Sequence, residues 1–375
     1  MPILNFIGKE KIFDLQIPDK NLRLVYNFGT DSENKIIHGD NLIVMKNLLR
    51  DYRNKIKCIY IDPPYNTGNE NWIYYDKFER DRWLFMMYPR LQLMRELLSD
   101  DGSIWISIDD KEQAHLRMIC DEIFGEDNFV VNVIWEKKYS PQNDSKYLSD
   151  SHDFILVYAR NKKLWRPNLL PRTAEMNARY KNPDDDPRGD WLPSDLSVRT
   201  YSESYDYEIT SPTGKKFAPP KFRVWQTSRE NMQKLIDDNR IWFGVNGNSR
   251  PVLKRFLSEV KQGMVAKTIW FRDEVGDNQE AARELKSFGF GKNFATPKPT
   301  RLIKKILRLS TEKDSLILDA FAGSGSTGHA VIDLNREDHG NRKFILIESE
   351  KYCESITAER VKKISGSFSF LEIGI

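Results

Sequence analysis

A glycine motif near the C-terminal end of the sequence constrains the fold more than any other feature. Gly323, Gly325 and Gly328 follow the apolar run Leu316–Asp319 and open a segment with helical spacing. A second apolar run comes next and ends at Glu348. Strand, glycine loop, helix and strand in this order form the opening half of a doubly wound α/β fold. The sequence therefore predicts part of a largely parallel sheet here.

The strand that continues this sheet is predicted near the other end of the sequence. Residues 35–38 form an apolar run that ends at Gly39, and strand and helix patterns alternate from there to residue 160. Within this region, residues 80–98 are predicted to form a helix that Pro89 kinks or divides. One circularly permuted sheet accounts for both ends of the chain more simply than two half-domains. We therefore predict a permuted, Rossmann-like α/β fold in which both ends build one site.

The alternation stops at about residue 161, and the sequence divides into three parts. Residues 1–160 and 296–375 form the two parts of the predicted sheet domain, and residues 161–295 form an irregular insert. Residues 161–300 carry 25 lysines and arginines against 18 acidic residues, whereas the rest of the chain is acidic. A polyanion is therefore predicted to bind the insert. An ordinary solvated surface is the alternative explanation for this charge.

The glycine loop predicts a nucleotide-like ligand. Glycines let the backbone approach a ligand closely, and Glu348 stands where a carboxylate can accept hydrogen bonds from ribose hydroxyls. Asp319, at the end of the first strand, would repel a pyrophosphate but would pair with the ammonium group of a methionine moiety. The loop also lacks the Gly-Lys-Ser/Thr of a P-loop. S-adenosylmethionine is therefore favoured over NAD(P), and a loop without a ligand is the structural alternative.

A second motif, Asp62-Pro63-Pro64-Tyr65, directly follows an apolar run. An ionised Asp62 only accepts hydrogen bonds, so it can hold an exocyclic amine. The prolines, cis or extended, would fix the backbone so that the Pro63 carbonyl accepts from the same amine. The amine would then be free to attack a sulfonium methyl, while the Tyr65 ring stacks on an extruded base. A plain strand-ending turn is the structural alternative.

Asp40 and four basic residues are further candidates. Asp40 can accept from the adenine amine of the cofactor, or it can simply cap the helix that follows. In the insert, cations alternate with aromatic residues and glycines, a composition that suits phosphate contacts. The predicted DNA-binding residues are Arg240, Arg250, Lys254 and Arg255.

Composition narrows the class of protein. No stretch approaches the roughly 18 apolar residues that span a bilayer, and residues 1–20 are too polar for a signal peptide. The three cysteines, Cys58, Cys120 and Cys353, are far apart in the sequence. They fit a reduced, cytoplasmic protein and predict no metal site. We therefore expect neither a metal nor a membrane partner.

The motifs resemble those of the β-group DNA adenine-N6 methyltransferases, in which the catalytic turn also precedes the cofactor loop. The likeness is greatest to the modification (Mod) subunits of type III restriction systems and covers most of the chain. It rests on residues 1–10, 62–69, 240–244, 275–281 and 296–300. The insert would then be a target recognition region. The predicted cofactor-binding residues are Asp40, Asp319, Phe321, Gly323, Gly325, Ser326, Thr327, Glu348 and, from an additional motif, Lys298.

The resemblance implies a site-specific enzyme that flips an adenine out of double-stranded DNA and methylates N6 with S-adenosylmethionine. It also implies a homodimer and a restriction subunit as partner. Mod subunits are usually much longer than 375 residues, so a stand-alone type II methyltransferase is the alternative. Cytosine N4 is the nearest alternative target, although the cytosine members more often carry serine in place of Asp62. An NAD(P)-dependent oxidoreductase, a nucleic-acid-binding module without activity and an RNA substrate also stay open.

Overall fold

The computed structural model describes residues 3–30, 33–68, 76–141, 145–290, 294 and 296–374. Residues 1, 2 and 69, which contribute to the family resemblance, lie outside this part of the chain. The chain divides into two compact units. The first unit consists of Met1–Asn168 and Ala266–Ile375, and the second unit is Leu169–Val265.

Most strands of the first unit are longer than those of the second. In chain order, the strands within the described residues are β1 (Leu22–Phe28), β2 (Lys35–His38), β3 (Ile56–Ile61), β4 (Leu98–Ile108), β5 (Phe129–Glu136), β6 (His152–Ala159), β7 (Trp191–Ser194), β8 (Ser197–Val198), β9 (Ile209–Thr210), β10 (Lys216–Phe217), β11 (Val224–Trp225), β12 (Ile241–Trp242), β13 (Val252–Phe256), β14 (Ile269–Trp270), β15 (Leu316–Asp319), β16 (Lys343–Glu348) and β17 (Phe368–Ile373).

The first unit is built on one large sheet. Its strand order over the described residues is β1-β17-β2-β16-β15-β3-β4-β6-β5-β14. The strands from β17 to β4 run parallel, whereas β1 and β6 run antiparallel to their neighbours. The chain order reverses at β15, which lies between β16 and β3. Such a switch point leaves a crevice at the carboxyl ends of the strands, where open α/β sheets bind ligands.

The predicted circular permutation is confirmed. Strand β2, from the N-terminal part of the chain, pairs in parallel with β16, and Ile36 lies opposite Leu346. On the other side of the switch point, β15 pairs in parallel with β3, and Leu318 lies opposite Ile59. These four side chains are fully buried. Both ends of the sequence therefore contribute central strands to one sheet.

The helices that carry most of the remaining core lie in the first unit. In the described residues the α-helices are α1 (Lys9–Phe13), α2 (Asn41–Tyr52), α3 (Arg80–Leu97), α4 (Gln113–Phe124), α5 (Ala174–Asn177), α6 (Arg229–Asp237), α7 (Arg272–Val275), α8 (Asn278–Ser287), α9 (Thr300–Ser310), α10 (Ser326–Asp338) and α11 (Glu359–Lys363), with a π-helical turn at Cys353–Ala358 before α11. Among the described residues, no helix combines the length and the apolar character that crossing a membrane requires.

Helix α3 contains Pro89 and still runs without interruption, so the predicted division of this helix is wrong. Its apolar residues form a continuous buried stripe that includes Trp83, Met87, Leu91 and Met94. Burying each such side chain contributes about 1.5–3 kcal/mol. Together they outweigh the cost of an internal proline, which is about 3 kcal/mol. Tertiary packing therefore decides the outcome here.

The second unit has a core of its own. Leu196, Trp225, Met232 and Phe243 are buried together in it, and β12, β13 and β7 form a small antiparallel sheet. The predicted insert, 161–295, is wider than this unit. Strand β14 and helices α7 and α8 belong to the first unit, because β14 pairs with β5 and the buried ring of Trp270 stacks in that unit. A role of the second unit in target recognition stays a prediction.

Candidate active site

The carboxyl ends of the central strands enclose a cavity of about 210 Å3. Its apolar wall includes Phe78, Met86, Phe294, Phe321, Ile347 and Tyr352. Its charged lining consists of Asp40, Asp62, Glu348 and Glu350 with Arg90. An excess of carboxylates attracts a cationic ligand and repels a pyrophosphate. The cavity therefore fits a cation with a flat ring better than it fits a dinucleotide.

The glycine loop forms one edge of this cavity in a backbone conformation that favours glycine. Gly323 has φ +51° and Gly325 has φ +78°, and a Cβ atom at Gly325 would lie 3.0 Å from the carbonyl oxygen of Thr357. The N–H of Gly323 donates to Glu348 Oε2 at 2.8 Å. The loop is thus held in one shape by the acidic residue that ends β16.

Two buried carboxylates support the loop. Asp319 accepts hydrogen bonds from the N–H of Phe321 at 3.0 Å and from the Thr327 hydroxyl. Glu348 also accepts from the N–H of Glu350 at 2.9 Å, and it lines the cavity. Burial raises the pKa of Asp319 to about 7 and that of Glu348 to about 7. Both groups therefore change charge near neutral pH, and a bound cation would favour their ionised forms.

The residues that follow the glycines lie behind the loop. The Ser326 hydroxyl accepts from the buried guanidinium of Arg360 at 2.9 Å. Arg360 also donates to Glu284 at 3.0 Å and to the Thr300 hydroxyl at 3.1 Å. Ser326 and Thr327 line a small neighbouring pocket of about 30 Å3 rather than the cavity lined by Asp40 and Glu348. The structure thus places these two predicted cofactor residues as supports of the loop.

Asp40 serves as the cap of α2 and also lines the cavity. Its Oδ1 accepts from the N–H of Leu42 at 2.8 Å, which is the capping role that the sequence allowed. Arg90 donates to both Asp40 carboxylate oxygens, at 3.1 and 3.0 Å. The carboxylate is about half exposed and stands on the cavity wall. Its cap role therefore leaves it in reach of a ligand.

The turn after β3 is fixed by groups far away in the sequence. The carbonyl of Pro64 accepts from Trp83 Nε1 at 2.7 Å. The N–H of Asn66 donates to the buried Asp76 at 2.7 Å, and Asn66 Nδ2 donates to Glu112 at 2.9 Å. No cis peptide bond occurs in the described part of the chain, so the turn is of the extended type. The Asp62 side chain is thus presented by a rigid backbone.

A second cavity, also of about 210 Å3, lies on the other side of this turn. Asp62 and Thr296 line both cavities, whereas Pro63 and Tyr65 line only the second. Burial raises the pKa of Tyr65 well above its usual value, so the ring stays neutral. The second cavity also contains a buried ion pair, in which Lys137 meets Asp153 at 2.6 Å. Asp62 therefore stands at the junction of the two spaces.

Lys298 contacts Asp62. Its Nζ lies 2.7 Å from each Asp62 carboxylate oxygen and 5.0 Å from the centroid of the Tyr65 ring. Lys298 lines the second cavity and the small pocket but not the first, acidic cavity. The sequence grouped this lysine with the predicted cofactor residues. The structure brings it into contact with Asp62, and a role in cofactor binding stays a prediction.

The four predicted DNA-binding residues differ in what the structure allows. The side chain of Lys254 is fully buried and its ammonium is bound to Asp184 and Asp186, which speaks against the predicted phosphate contact. Arg240 is paired with Glu259 at 2.6 Å. Arg250 and Arg255 are exposed, and a groove of the second unit is lined by Arg240, Lys254 and Arg255 but not by Arg250. A DNA contact by the arginines stays a prediction.

The sequence patterns missed the residues that hold the site together. They are Asn66, Asp76, Trp83, Arg90, Glu112, Lys137, Asp153 and Arg360. Each is a polar or aromatic side chain whose partner lies at least ten residues away, so no local spacing marks it. Asn66 alone could have been suspected locally, because asparagine directly after a turn often adopts a positive φ, and here its φ is +60°.

Comparison with known proteins agrees with this geometry. A family model described as DNA methylase matches residues 56–359. The Mod subunit of the type III restriction-modification enzyme StyLTI from Salmonella typhimurium is 39% identical over 92% of this chain and 57% of its own length. The Mod subunit of EcoPI from Escherichia phage P1 is 30% identical over 94% of this chain and 61% of its own length.

A shorter relative is covered more completely. The type II methyltransferase M.KpnI from Klebsiella pneumoniae is 31% identical over 85% of this chain and 81% of its own length. The chain therefore spans about three fifths of the two Mod subunits and about four fifths of M.KpnI.

Proposed function

This chain belongs to the DNA methylase family, and we propose that it transfers a methyl group from S-adenosylmethionine to N6 of an adenine flipped out of DNA. The observation that carries the proposal is the position of Asp62, which lines both the acidic cavity and the second cavity. A group held by Asp62 from the second cavity would face a ligand in the first. Such positioning is the main requirement of the reaction.

The acidic cavity is the proposed cofactor site. Glu348 would accept hydrogen bonds from the ribose hydroxyls, and Asp40 would accept from the adenine amine of the cofactor. Phe321 and the other rings of the apolar wall would pack on the adenine. When bound, S-adenosylmethionine supplies a sulfonium methyl group as electrophile. Four carboxylates against one guanidinium in the lining also speak against NAD(P).

The second cavity is the proposed site of the target base. Asp62 would accept one N–H of the exocyclic amine and the Pro63 carbonyl the other, which keeps the nitrogen lone pair available for attack. Tyr65 would stack on the base, since its ring stays neutral and lines this cavity. After transfer the amine loses its extra proton to solvent. No strong general base is needed, because charge placement and alignment carry the step.

Adenine is proposed rather than cytosine because the turn carries Asp62, the residue on which the family resemblance to the adenine enzymes depends. Double-stranded DNA is the proposed substrate, and the Mod relatives support a restriction subunit as partner. A homodimer and a cytoplasmic location complete the proposal. M.KpnI, a type II enzyme, supports the alternative of a methyltransferase without such a partner.

The proposal is tested by a methyl-transfer assay with the purified protein. The protein is incubated with mixed-sequence duplex DNA and S-adenosylmethionine that carries a tritiated methyl group, and the DNA is then digested to nucleosides. We expect label in N6-methyldeoxyadenosine. Label in N4-methyldeoxycytidine would contradict the choice of base, and NADH binding without binding of S-adenosylmethionine would contradict the class of enzyme.

A further inference from the structure

Lys298 occupies the position in which the proposed reaction needs the target amine. Its ammonium is hydrogen-bonded to both oxygens of Asp62, each at 2.7 Å, and its side chain is only 8% exposed. The same ammonium lies over the Tyr65 ring, 5.0 Å from the centroid. A target amine held by Asp62, on a base stacked on Tyr65, would meet these same two groups. Lys298 and the target base therefore compete for one place.

We propose that Lys298 holds the place of the target amine in the free enzyme, so that base entry must displace its ammonium from Asp62. This inference rests on the proposed function and adds a positioning residue to it. A carboxylate oxygen can accept more than one hydrogen bond, so the competition is for space: the ammonium lies against both Asp62 oxygens and over the Tyr65 ring, where the target amine would have to lie.

The surroundings allow this displacement without a change of the backbone. Lys298 is flanked by Pro297 and Pro299, whose rings fix the main chain just before α9, so that movement is confined to the four flexible bonds of the side chain. A second carboxylate, that of Asp153, lines the same cavity, where it is already paired with Lys137. Asp153 is buried there, and although burial raises its pKa, Lys298 is the strongest influence in the opposite direction. The displaced ammonium thus stays close to negative charge.

The placeholder would also balance negative charge in the free enzyme. Asp62, Asp153 and Asp319 lie near one another, and the field of Asp62 acts on both of the others. Unbalanced carboxylates in a half-buried site are costly. Lys298 supplies the balancing charge until the cofactor brings its own cation to the neighbouring cavity.

The test compares three variants of Lys298 by how far the target base leaves the duplex. The DNA carries the unmodified sequence that the enzyme methylates, with 2-aminopurine beside the target adenine. S-adenosylhomocysteine fills the cofactor site so that no transfer occurs. The fluorescence of 2-aminopurine rises when its neighbour leaves the stack. Lys298→Met and Lys298→Gln remove the competing charge, and we expect at least about fivefold more extruded base. Lys298→Arg pairs with a carboxylate through two parallel bonds, and we expect less extruded base than in the wild type.

Controls separate this role from a structural one. Lys304→Met removes one positive charge from α9 where Lys304 pairs with Glu337, away from both cavities, and should leave the fluorescence unchanged. In an Asp62→Asn background, Lys298→Met should no longer increase extrusion, because the competing pair is already weakened. The affinity of all folded variants for S-adenosylhomocysteine should lie within about twofold of the wild-type value, because Lys298 does not line the acidic cavity.

The outcomes are distinguishable. If the wild type transfers no methyl group to DNA, the proposed function fails. If it does, and Lys298→Met and Lys298→Gln lower base extrusion while Lys298→Arg restores it, Lys298 supports the bound base and the placeholder role is refuted. Equal extrusion in all variants refutes it as well. More extruded base in the neutral variants together with less in Lys298→Arg is the result that supports it, and either neutral variant suffices if the other does not fold.

Discussion

Two buried lysines, one in each unit, differ in whether the carboxylate that they bind can reach a ligand. Lys298 in the first unit bonds to Asp62, and Lys254 in the second unit bonds to Asp184 and Asp186. The Asp62 side chain is 23% exposed and lines two cavities, whereas the side chains of Lys254 and Asp186 are completely buried. Burial of a cation therefore does not mark a site by itself. The access of its partner to a ligand does.

The surroundings of the two ammonium groups strengthen this difference. Lys254 lies near the rings of both Trp191 and Trp242, and Arg188 together with Lys254 holds the pKa of Asp186 well below its usual range. Every charge there has a permanent partner. Lys298 also lies near an aromatic ring, that of Tyr65, but this ring faces a cavity large enough for a base.

The largest effect is expected at Asp62. Asp62→Ala removes the acceptor for the target amine, and we expect turnover to fall at least about 10³-fold. Affinity for S-adenosylmethionine should stay nearly unchanged, because the rest of the acidic cavity is intact. Methyl transfer and calorimetric cofactor binding measure the two quantities. Asp186→Ala is the matched variant, and it should lose stability while cofactor binding by the first unit persists. Near-normal turnover in Asp62→Ala would refute the comparison.

Lys254→Met should have the largest effect on stability. It leaves Asp184 and Asp186 buried without their ammonium partner, and we expect a loss of about 3–5 kcal/mol in the free energy of unfolding of the second unit. Urea denaturation followed by tryptophan fluorescence measures this loss, since Trp191 and Trp225 are buried in that unit. Arg255→Met, at an exposed neighbouring position, should change stability by less than about 0.5 kcal/mol. Equal stability of the two variants would mean that the buried pair is not structural.

Gly323→Asp should weaken cofactor binding by at least about 10²-fold. The substitution places a side chain at a residue with φ +51° and adds a carboxylate beside Glu348. Calorimetry with S-adenosylmethionine measures the loss. Gly214→Asp imposes a similar backbone penalty in the second unit, at φ +83° with open space around it, and should leave cofactor affinity unchanged. Tight binding by Gly323→Asp would show that the loop does not approach the cofactor.

The smallest effect is expected from pH. Burial raises the pKa of Glu348 to about 7, so this carboxyl group is largely protonated at pH 6 in the free enzyme and ionised at pH 8. A cationic ligand favours the ionised form, and binding then releases a proton. Affinity for S-adenosylmethionine should therefore rise a few-fold between pH 6 and 8. Glu348→Gln should flatten this dependence, whereas Glu350→Gln should retain it. A dependence that survives in Glu348→Gln would point to Asp319 instead, whose pKa burial raises to about 7.

The sequence predicted the permuted sheet because local patterns carry that information. The glycine loop, the apolar runs and the acidic residue at the end of β16 each have a fixed spacing, and their order defines the topology. The edge strand β1 and its neighbour β17 were missed. Their sequences mix polar and apolar residues, with Arg23 and Glu372 paired across them, and only pairing with each other and with β2 makes them strands.

The site was predictable only in part, for a related reason. Glu348 ends β16, and Asp62 and Asp40 come within two residues of the ends of β3 and β2, so the sheet brings all three to one edge. The contact between Lys298 and Asp62 joins residues 236 positions apart, and the capture of Pro64 by Trp83 depends on how α3 packs. Lys254 looked like a phosphate contact because composition cannot show which cations are buried.

The most direct test of the account is modification sequencing of DNA from a methylation-free host that expresses this chain. We predict N6-methyladenine at one recurring sequence with the wild type and none with Asp62→Ala, although both variants fold and bind S-adenosylmethionine. The same modification in Asp62→Ala, or no modification by a folded wild type that binds the cofactor, would contradict the central claim that Asp62 presents an adenine amine to the methyl donor.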